Sequence, residues 1–144
     1  MKKYNVGIVG YSWAAGAHID AINRTSLAQV TAICSSRGLD SKEISARHGG
    51  NIRCYEDYSE MIANPDIHVV SICSYPALHA KQAIMAARAG KNLIIEKPIA
   101  LTWEDCLAVE KAVKEAGVKT CVCFECRFSG HLQTLKSLIE QGLL

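Results

Sequence analysis

VGIVGYSWAAGAH, the stretch Val6–His18, joins a short apolar run to an amphipathic run through a glycine turn. This order predicts a strand, a tight turn and the start of a helix. Such a turn can offer backbone amides and a helix N-terminus to a phosphate. Gly10 supplies the turn, but Ser12 and Ala15 stand where further glycines are typical, with Trp13 between them. The stretch alone leaves two interpretations open, a phosphate-binding loop or a turn that only packs.

Short apolar runs alternate with amphipathic stretches along the rest of the chain. Helices are predicted at Leu78–Gly90 and from Thr102 to Gly117, where Thr102 is an N-cap and each glycine is a C-terminal stop. Asp40 marks a further helix N-terminus. Because strand–helix alternation builds parallel sheets with helices on both faces, we expect an α/β fold with a doubly wound parallel sheet of about six strands. The predicted strands are Tyr4–Gly10, Ala28–Cys34, Arg53–Tyr55, Ile67–Cys73, Asn92–Glu96 and Lys119–Phe124.

The composition is that of an ordinary globular domain. The chain has 144 residues, of which 49% are hydrophobic and 21% charged. A net charge of +2 gives no field strong enough to favour nucleic acid as a partner. No apolar run reaches the roughly 20 residues that a membrane helix needs. The N-terminal apolar run is interrupted by Gly7, Gly10 and Ser12, which argues against a secretion signal.

The cysteines favour packing over metal binding. There are seven, an odd number, and Cys34, Cys73, Cys121 and Cys123 lie in apolar strand-like runs. Free cysteine packs as a small hydrophobe, and free thiols are typical of a reducing compartment, so we expect a cytoplasmic protein. CVCFEC, residues 121–126, is a single cluster, whereas zinc sites usually pair two ligand motifs. The sequence therefore predicts no metal site.

Polar residues follow the ends of several predicted strands, where parallel sheets bind ligands. Ser35, Ser36 and Arg37 follow the second strand, at the place where NAD sites carry an acidic residue. Two hydroxyls and a guanidinium suit a 2′-phosphate instead, so a dinucleotide site here would prefer NADP, with NAD possible. The alternative is a polar turn with a solvated arginine.

Lys97 follows the fifth strand in IIEKP, residues 94–98. Lysine is costly to bury, and its pKa falls when it is desolvated. Beside an oxidised nicotinamide, Lys97 would donate a hydrogen bond to a substrate hydroxyl or help to deprotonate it, which makes it the catalytic candidate. The alternative is a surface lysine that closes a strand.

Three segments carry a resemblance to a known family. VGIVGYSWAAGAH, SYPALHAKQAIMAARAGKNLIIEKPIALT and FECRFSGHLQTLKSLIEQG, in this order and spacing, resemble the Gfo/Idh/MocA oxidoreductases over essentially the whole chain. The resemblance implies a Rossmann-like NAD(P)-binding domain at residues 1–124, a loop that holds the diphosphate, and Lys97 near nicotinamide and substrate. The expected cofactor-binding residues are Gly10, Ser12, Trp13, Ala14, Ser35, Ser36, Arg37, Ser74, Tyr75, His79, Glu96, Lys97 and Arg127.

The sequence departs from the family pattern in three places. Ser12 replaces the middle glycine, Pro76 stands one position later than usual, and family members are longer, with a second α/β domain that holds the substrate. Residues 125–144 are expected to be a connecting segment and a helix leading to that domain, which this chain lacks. We expect Trp13 to cover the loop or face that domain, with stacking on the nicotinamide as the alternative.

The resemblance implies an NADP-preferring oxidoreductase. Its reaction would be hydride transfer between nicotinamide and a hydroxyl carbon of a sugar, polyol or related small molecule. The chain alone is expected to bind the cofactor without turnover. The alternative from another class is a non-enzymatic NADP(H)-binding sensor. Apolar residues at Leu143–Leu144 make a homo-oligomer a further expectation.

Overall fold

The computed structural model describes residues 3–144, which form one parallel sheet with helices on both faces. The strands are β1 Tyr4–Val9, β2 Ala28–Cys34, β3 Arg53–Tyr55, β4 Val69–Ile72, β5 Asn92–Glu96 and β6 Thr120–Cys123. The helices are α1 Trp13–Asn23, α2 Ser41–His48, α3 Tyr58–Ala63, α4 Pro76–Arg88, α5 Trp103–Ala116 and α6 Gly130–Glu140, with a 3₁₀ helix at Glu125–Phe128.

The strand order is β3-β2-β1-β4-β5-β6, and every neighbouring pair is parallel. The predicted α/β fold with a doubly wound parallel sheet of about six strands is therefore confirmed. The chain starts in the middle of the sheet, builds outward to β3, and then crosses back to add β4 beside β1. The crevice between the carboxyl ends of β1 and β4 is the switch point at which such sheets bind ligands.

Two apolar clusters hold the helices on opposite faces of the sheet. Ile19 of α1 and Ile44 of α2 pack with Ile8 and Ile33 of the central strands. The second cluster joins α3, α4 and α5 to the same sheet through Met61, Ile72, Ala83, Ile95 and Val109. Each of these residues is at most 5% exposed, so both faces of the central strands are covered.

Local hydrogen bonds fix the helix ends that the sequence predicts. The Asp40 side chain accepts from two backbone amides of the first turn of α2, and Thr102 Oγ1 accepts from the Asp105 amide at 3.1 Å in α5. Gly117 ends α5 in the left-handed region at φ 66°. The sequence analysis missed α3, because its six residues are too few to show a helical period. Asp57 caps α3, its side chain accepting from Ser59 N–H at 2.7 Å.

All seven cysteines are free thiols. Cys34 and Cys73 are buried as expected, but Cys121 is exposed. The expectation of burial is wrong for Cys121 because β6 is an edge strand that pairs with β5 alone. The packing that Cys34 receives in β2 is therefore missing at Cys121.

Helix α6 is the least packed helix, because none of its residues is buried. Its apolar side chains at Leu132, Leu135 and Ile139 are 44%, 43% and 56% exposed. Neither α6 nor any other helix within residues 3–144 is long and apolar enough to cross a membrane.

Candidate functional site

A cleft of about 500 Å³ opens at the carboxyl ends of β1, β2 and β4. A larger cavity of about 740 Å³ lies at the opposite edge of the sheet, and none of the predicted site residues lines it. The cleft is the one at the switch point, and it brings together residues that the sequence predicted from three separate strand ends. These are Gly10, Ser12, Ser35, Ser36, Arg37, Ser74 and Tyr75.

Gly10 sets the shape of the turn after β1. Its φ is 87°, and its N–H donates to Cys34 O at 2.9 Å. A Cβ at this position would lie 2.7 Å from Cys73 O and from Ser74 N. Only glycine fits, because backbone lies directly against the turn and L side chains avoid this φ. The turn therefore lies tightly against the segment that follows β4.

Helix α1 begins at this turn. Ser12 is its N-cap in extended conformation, and its side chain makes no capping hydrogen bond. The first intrahelical amide is that of Gly16, which donates to Ser12 O at 3.1 Å. The amides before Gly16 are unpaired within α1, as at any helix N-terminus, and favour an anion there. Ala14 is half-buried and Trp13 is 89% exposed, so the bulky Trp13 ring does not fill the cleft.

The three polar residues of the turn after β2 differ in exposure and in hydrogen bonding. Ser35 is buried, and its Oγ accepts from the Arg37 N–H at 3.1 Å, so this hydroxyl shapes the turn. Ser36 is exposed. The Arg37 guanidinium is also exposed and donates to Tyr11 O in the glycine turn after β1. A positive charge therefore lies across the glycine turn.

The sequence analysis missed Glu56, which follows β3 and lines the same cleft. Glu56 Oε1 lies 3.7 Å from the position of a Cβ on Gly38, one residue beyond Arg37. A carboxylate directly after the strand next to β2 was a signal that could have found it. The negative charge of Glu56 partly cancels the positive charge of the Arg37 guanidinium at this end of the cleft.

The segment after β4 forms the other wall of the cleft. Tyr75 is 81% exposed, and Ser74 Oγ donates to Gln82 Oε1, a further lining residue that the sequence analysis missed. His79 is 1% exposed and does not line the cleft. Its Nδ1 lies 2.7 Å from Pro98 O and its Nε2 lies 3.0 Å from Ser74 O. The buried His79 ring therefore links the segment after β4 to the segment after β5 through these two carbonyl groups.

The floor of the cleft is uncharged. Cys73 lies there, and burial raises the pKa of its thiol to about 12. Burial also raises the pKa of the Tyr58 phenol, whose hydroxyl donates to Gln82 O at 2.8 Å. Both groups keep their protons at neutral pH, so the charges near a bound ligand are those of Arg37 and Glu56.

Glu96 ends β5 beside the cleft and fixes two neighbouring segments. Its Oε1 accepts from His18 Nε2 at 2.9 Å, and its Oε2 accepts from the Lys97 N–H at 3.1 Å. His18 Nδ1 is in turn 2.8 Å from the hydroxyl of Ser71, which is fully buried in β4. The sequence analysis missed His18, because its partners are 53 and 78 residues away in the chain.

Lys97 is half-exposed, with Nζ 3.5 Å from Glu125 Oε1. Lys91, in contrast, is buried, its Nζ donates to Asn64 O at 2.8 Å, and burial lowers its pKa. Lys97 Nζ therefore lies at the carboxyl end of β5, within reach of the Glu125 carboxylate. Arg127, in the exposed 3₁₀ helix that begins at Glu125, lies outside the cleft lining.

The sheet order, the switch-point cleft and the glycine turn before α1 define a nucleotide-binding domain of the Rossmann type. The sequence profile of the Gfo/Idh/MocA oxidoreductase family, NAD-binding Rossmann fold, matches residues 4–124. The chain belongs to this family, as its sequence motifs predict.

Several characterised proteins are similar to the chain. Levoglucosan dehydrogenase of Pseudarthrobacter phenanthrenivorans is 32% identical along 100% of the chain, which spans 39% of that protein. Inositol 2-dehydrogenase of Salmonella typhimurium is 29% identical along 94% of the chain and is covered over 41% of its length. WlbA dehydrogenase of Bordetella pertussis, solved with NADH and UDP-GlcNAcA, is 33% identical with a TM-score of 0.86, covering 98% of the chain and 43% of its own. The chain thus spans about two fifths of these relatives.

Proposed function

We propose that the chain is the NADP-preferring nucleotide-binding part of an oxidoreductase that acts on a hydroxyl carbon of a sugar, polyol or related small molecule. The relatives support the substrate class, since they include levoglucosan and inositol dehydrogenases. The observation that carries the cofactor preference is the exposed Arg37 guanidinium, held at the Tyr11 carbonyl in a cleft that also contains Gly10 and Ser12.

The residues of the cleft fit the diphosphate and the adenosine ribose of a dinucleotide. The Gly10 turn and the free amides of α1 suit a diphosphate, because both present N–H groups without a bulky side chain. Arg37 and the Ser36 hydroxyl suit a 2′-phosphate. Glu56 works against that phosphate, so the preference depends on the guanidinium outweighing one nearby carboxylate.

Lys97 is the residue that we assign to proton transfer. The bound nicotinamide supplies the hydride acceptor or donor. As the neutral amine, Lys97 Nζ takes the proton of the substrate hydroxyl when the substrate is oxidised, and as the ammonium it returns that proton when the substrate is reduced. Glu125, 3.5 Å from Nζ, holds the ammonium at the sheet edge, and the Glu96 carboxylate fixes the Lys97 backbone. Tyr75, Trp13 and Arg127 are exposed around this edge and are assigned to contacts with the cofactor and substrate.

Calorimetric titration of the chain with NADPH and with NADH tests the preference. We expect NADPH to bind at least about tenfold more tightly, roughly 1.4 kcal/mol. Arg37→Ala should remove the difference, and Glu56→Gln should increase NADPH affinity. Arg53→Ala is the matched control, since Arg53 stacks on Tyr55 and lines the cavity at the opposite edge. Equal binding of both nucleotides would reject the preference and keep the site, whereas binding of neither would reject the site.

We further propose that the chain binds cofactor without turnover, in a reducing cytoplasm. The relatives are more than twice its length, and we place the substrate on residues that they have beyond the matched part. The exposed free thiols of Cys121 and Cys126 favour a reducing compartment. Reproducible oxidation of a sugar or polyol by the chain alone would contradict the first of these proposals.

A further inference from the structure

Three metal-ligating side chains from three different elements converge beside the cleft. His18 of α1, Glu96 of β5 and Cys123 of β6 each offer a ligand atom, and these atoms all lie within 4.8 Å of one another. Glu96 and Cys123 are direct partners in the β5–β6 register, which brings their side chains to the same end of the sheet. The group is distinct from the CVCFEC cluster of the sequence, since it uses only one of its cysteines.

We propose that His18, Glu96 and Cys123 form a binding site for one Zn²⁺ ion. An imidazole nitrogen, a carboxylate oxygen and a thiolate sulfur are the three ligand types that Zn²⁺ takes from proteins. Three protein ligands leave a fourth position open, as in zinc sites that bind water or a substrate oxygen. The sequence analysis predicted no metal site because it considered only the single CVCFEC cluster, whereas these three ligands are far apart in the chain. The zinc site does not depend on the proposed cofactor preference.

The geometry needs only small side-chain movements to accept the ion. Zinc–ligand bonds of about 2.0–2.3 Å in a tetrahedron place neighbouring ligand atoms roughly 3.2–3.7 Å apart. His18 Nε2 and Glu96 Oε1 are now 2.9 Å apart, so this pair has to open by about half an ångström. The thiol of Cys123 has to approach by about an ångström at most, within the 4.8 Å limit of the group. Rotations about side-chain bonds supply both changes.

Ser71 orients the imidazole before an ion arrives. Its hydroxyl lies 2.8 Å from His18 Nδ1, and Ser71 is fully buried in β4. Metal-ligating histidines usually donate their other ring N–H to such a partner, which leaves Nε2 as the free ligand nitrogen. Without an ion, Nε2 carries the ring proton and donates to Glu96 Oε1, so zinc binding requires the proton to move to Nδ1, which then donates to the Ser71 hydroxyl.

The three side chains are accessible from solvent. The side chains of His18 and Glu96 are 14% and 16% exposed, which leaves a path for an ion and for a fourth ligand. A bound dication takes Cys123 as its thiolate and displaces the thiol proton to solvent.

Titration of the reduced chain with Co²⁺, a coloured substitute for Zn²⁺, tests the proposal. We expect one equivalent of Co²⁺ to produce a thiolate-to-cobalt charge-transfer band in the near ultraviolet, and one equivalent of Zn²⁺ to remove it. Cys123→Ser and His18→Gln should abolish the band. Cys121→Ser and Cys126→Ser are matched controls from the same cysteine cluster and should keep it. Ser71→Ala should weaken Co²⁺ binding about 10- to 100-fold.

The outcomes separate this site from others. The proposal is overturned by a wild-type chain without the band, by a band that survives in Cys123→Ser, or by a band that Cys121→Ser removes equally. Circular dichroism of Cys123→Ser establishes that this near-isosteric variant is folded, so the result does not depend on His18→Gln. Cys123→Ser should still bind NADPH like the wild type, because Cys123 does not line the cleft. A failure of the zinc site is therefore distinguishable from a failure of the nucleotide site.

Discussion

At the scale of single residues, Gly10 is the position described above that tolerates no side chain. Gly10→Ala should destabilise the chain by at least about 1 kcal/mol, because an L side chain is strained at φ 87° and its Cβ meets backbone at 2.7 Å. Gly16→Ala in α1 is the matched control, since a Cβ there meets nothing within 4 Å. It should stabilise the helix by about 1 kcal/mol. Chemical denaturation measures both, and equal effects of the two substitutions would refute the assigned role of the turn.

The buried Cys34 thiol should make the free energy of unfolding decrease at alkaline pH. Burial, with a smaller contribution from the Asp57 charge, raises its thiol pKa from 9.0 to about 11. The folded state therefore holds this proton more tightly than the unfolded state. The resulting stability is fully present below pH 9 and is lost as pH rises towards 11.

The unfolding free energy should accordingly fall between pH 9 and pH 11, with at most about 1.4 kcal/mol per pH unit from this group. Cys34→Ala should flatten the slope by a similar amount, whatever its effect on the absolute stability. Cys121→Ala is the control, since the exposed Cys121 should leave the slope unchanged. An unchanged slope in Cys34→Ala would contradict the assignment.

Some residues of the site belong to contiguous sequence motifs, whereas others are brought together only by the fold. The Gly10 turn and the Ser35–Arg37 turn are contiguous motifs, so the sequence predicts them and the structure brings them into one cleft. Glu56, His18 and the inward turn of Ser35 depend on which strands are neighbours and on local hydrogen bonds. No contiguous pattern in the chain encodes those relations.

At the scale of elements, helix ends were predictable and short helices were not. Thr102 and Gly117 bound α5 as expected, because capping depends on residues within one turn. The predicted helix Leu78–Gly90 is observed two residues earlier, as Pro76–Arg88, since Pro76 occupies its first turn. Helix α3 escaped prediction because six residues give no measurable period.

Helix α6 should contribute little to the stability of the sheet. A chain ending at Ser129 should unfold within about 1 kcal/mol of the full chain, because no residue of α6 is buried. Ile19→Ala in α1 is the positive control, since Ile19 is fully buried and should cost about 2–5 kcal/mol. Thermal unfolding by circular dichroism measures both. A loss from the truncation as large as that from Ile19→Ala would mean that α6 packs on the domain.

At the scale of the whole molecule, the fold class followed from alternation alone, but the strand order did not. The order β3-β2-β1-β4-β5-β6 decides that Glu96 and Cys123 are partners and that His18 can reach Ser71. These two contacts span 27 and 53 residues of chain. Periodicity reports only what lies within a turn or a strand, so a long-range group of this kind becomes visible only in three dimensions.

The chain should self-associate through the apolar side chains after β6. Phe124 and Phe128 are 55% and 78% exposed, and they adjoin the exposed apolar residues of α6. Sedimentation should show a mass above 15.7 kDa that rises with concentration. Phe128→Glu should restore the monomer, whereas Leu27→Glu, at a residue 59% exposed before β2, should not. A monomer at every concentration would exclude this association.

The two edge strands of the sheet, β3 and β6, are too short to support growth of fibrils by addition of strands. β3 has three residues and β6 has four, so each border offers only a few unpaired N–H and C=O groups. Short borders are poor templates for adding strands from another molecule. Fibril growth needs a long, flat border that repeats from copy to copy. Contacts between copies are therefore confined to side chains, and a concentrated sample should form discrete particles rather than fibres.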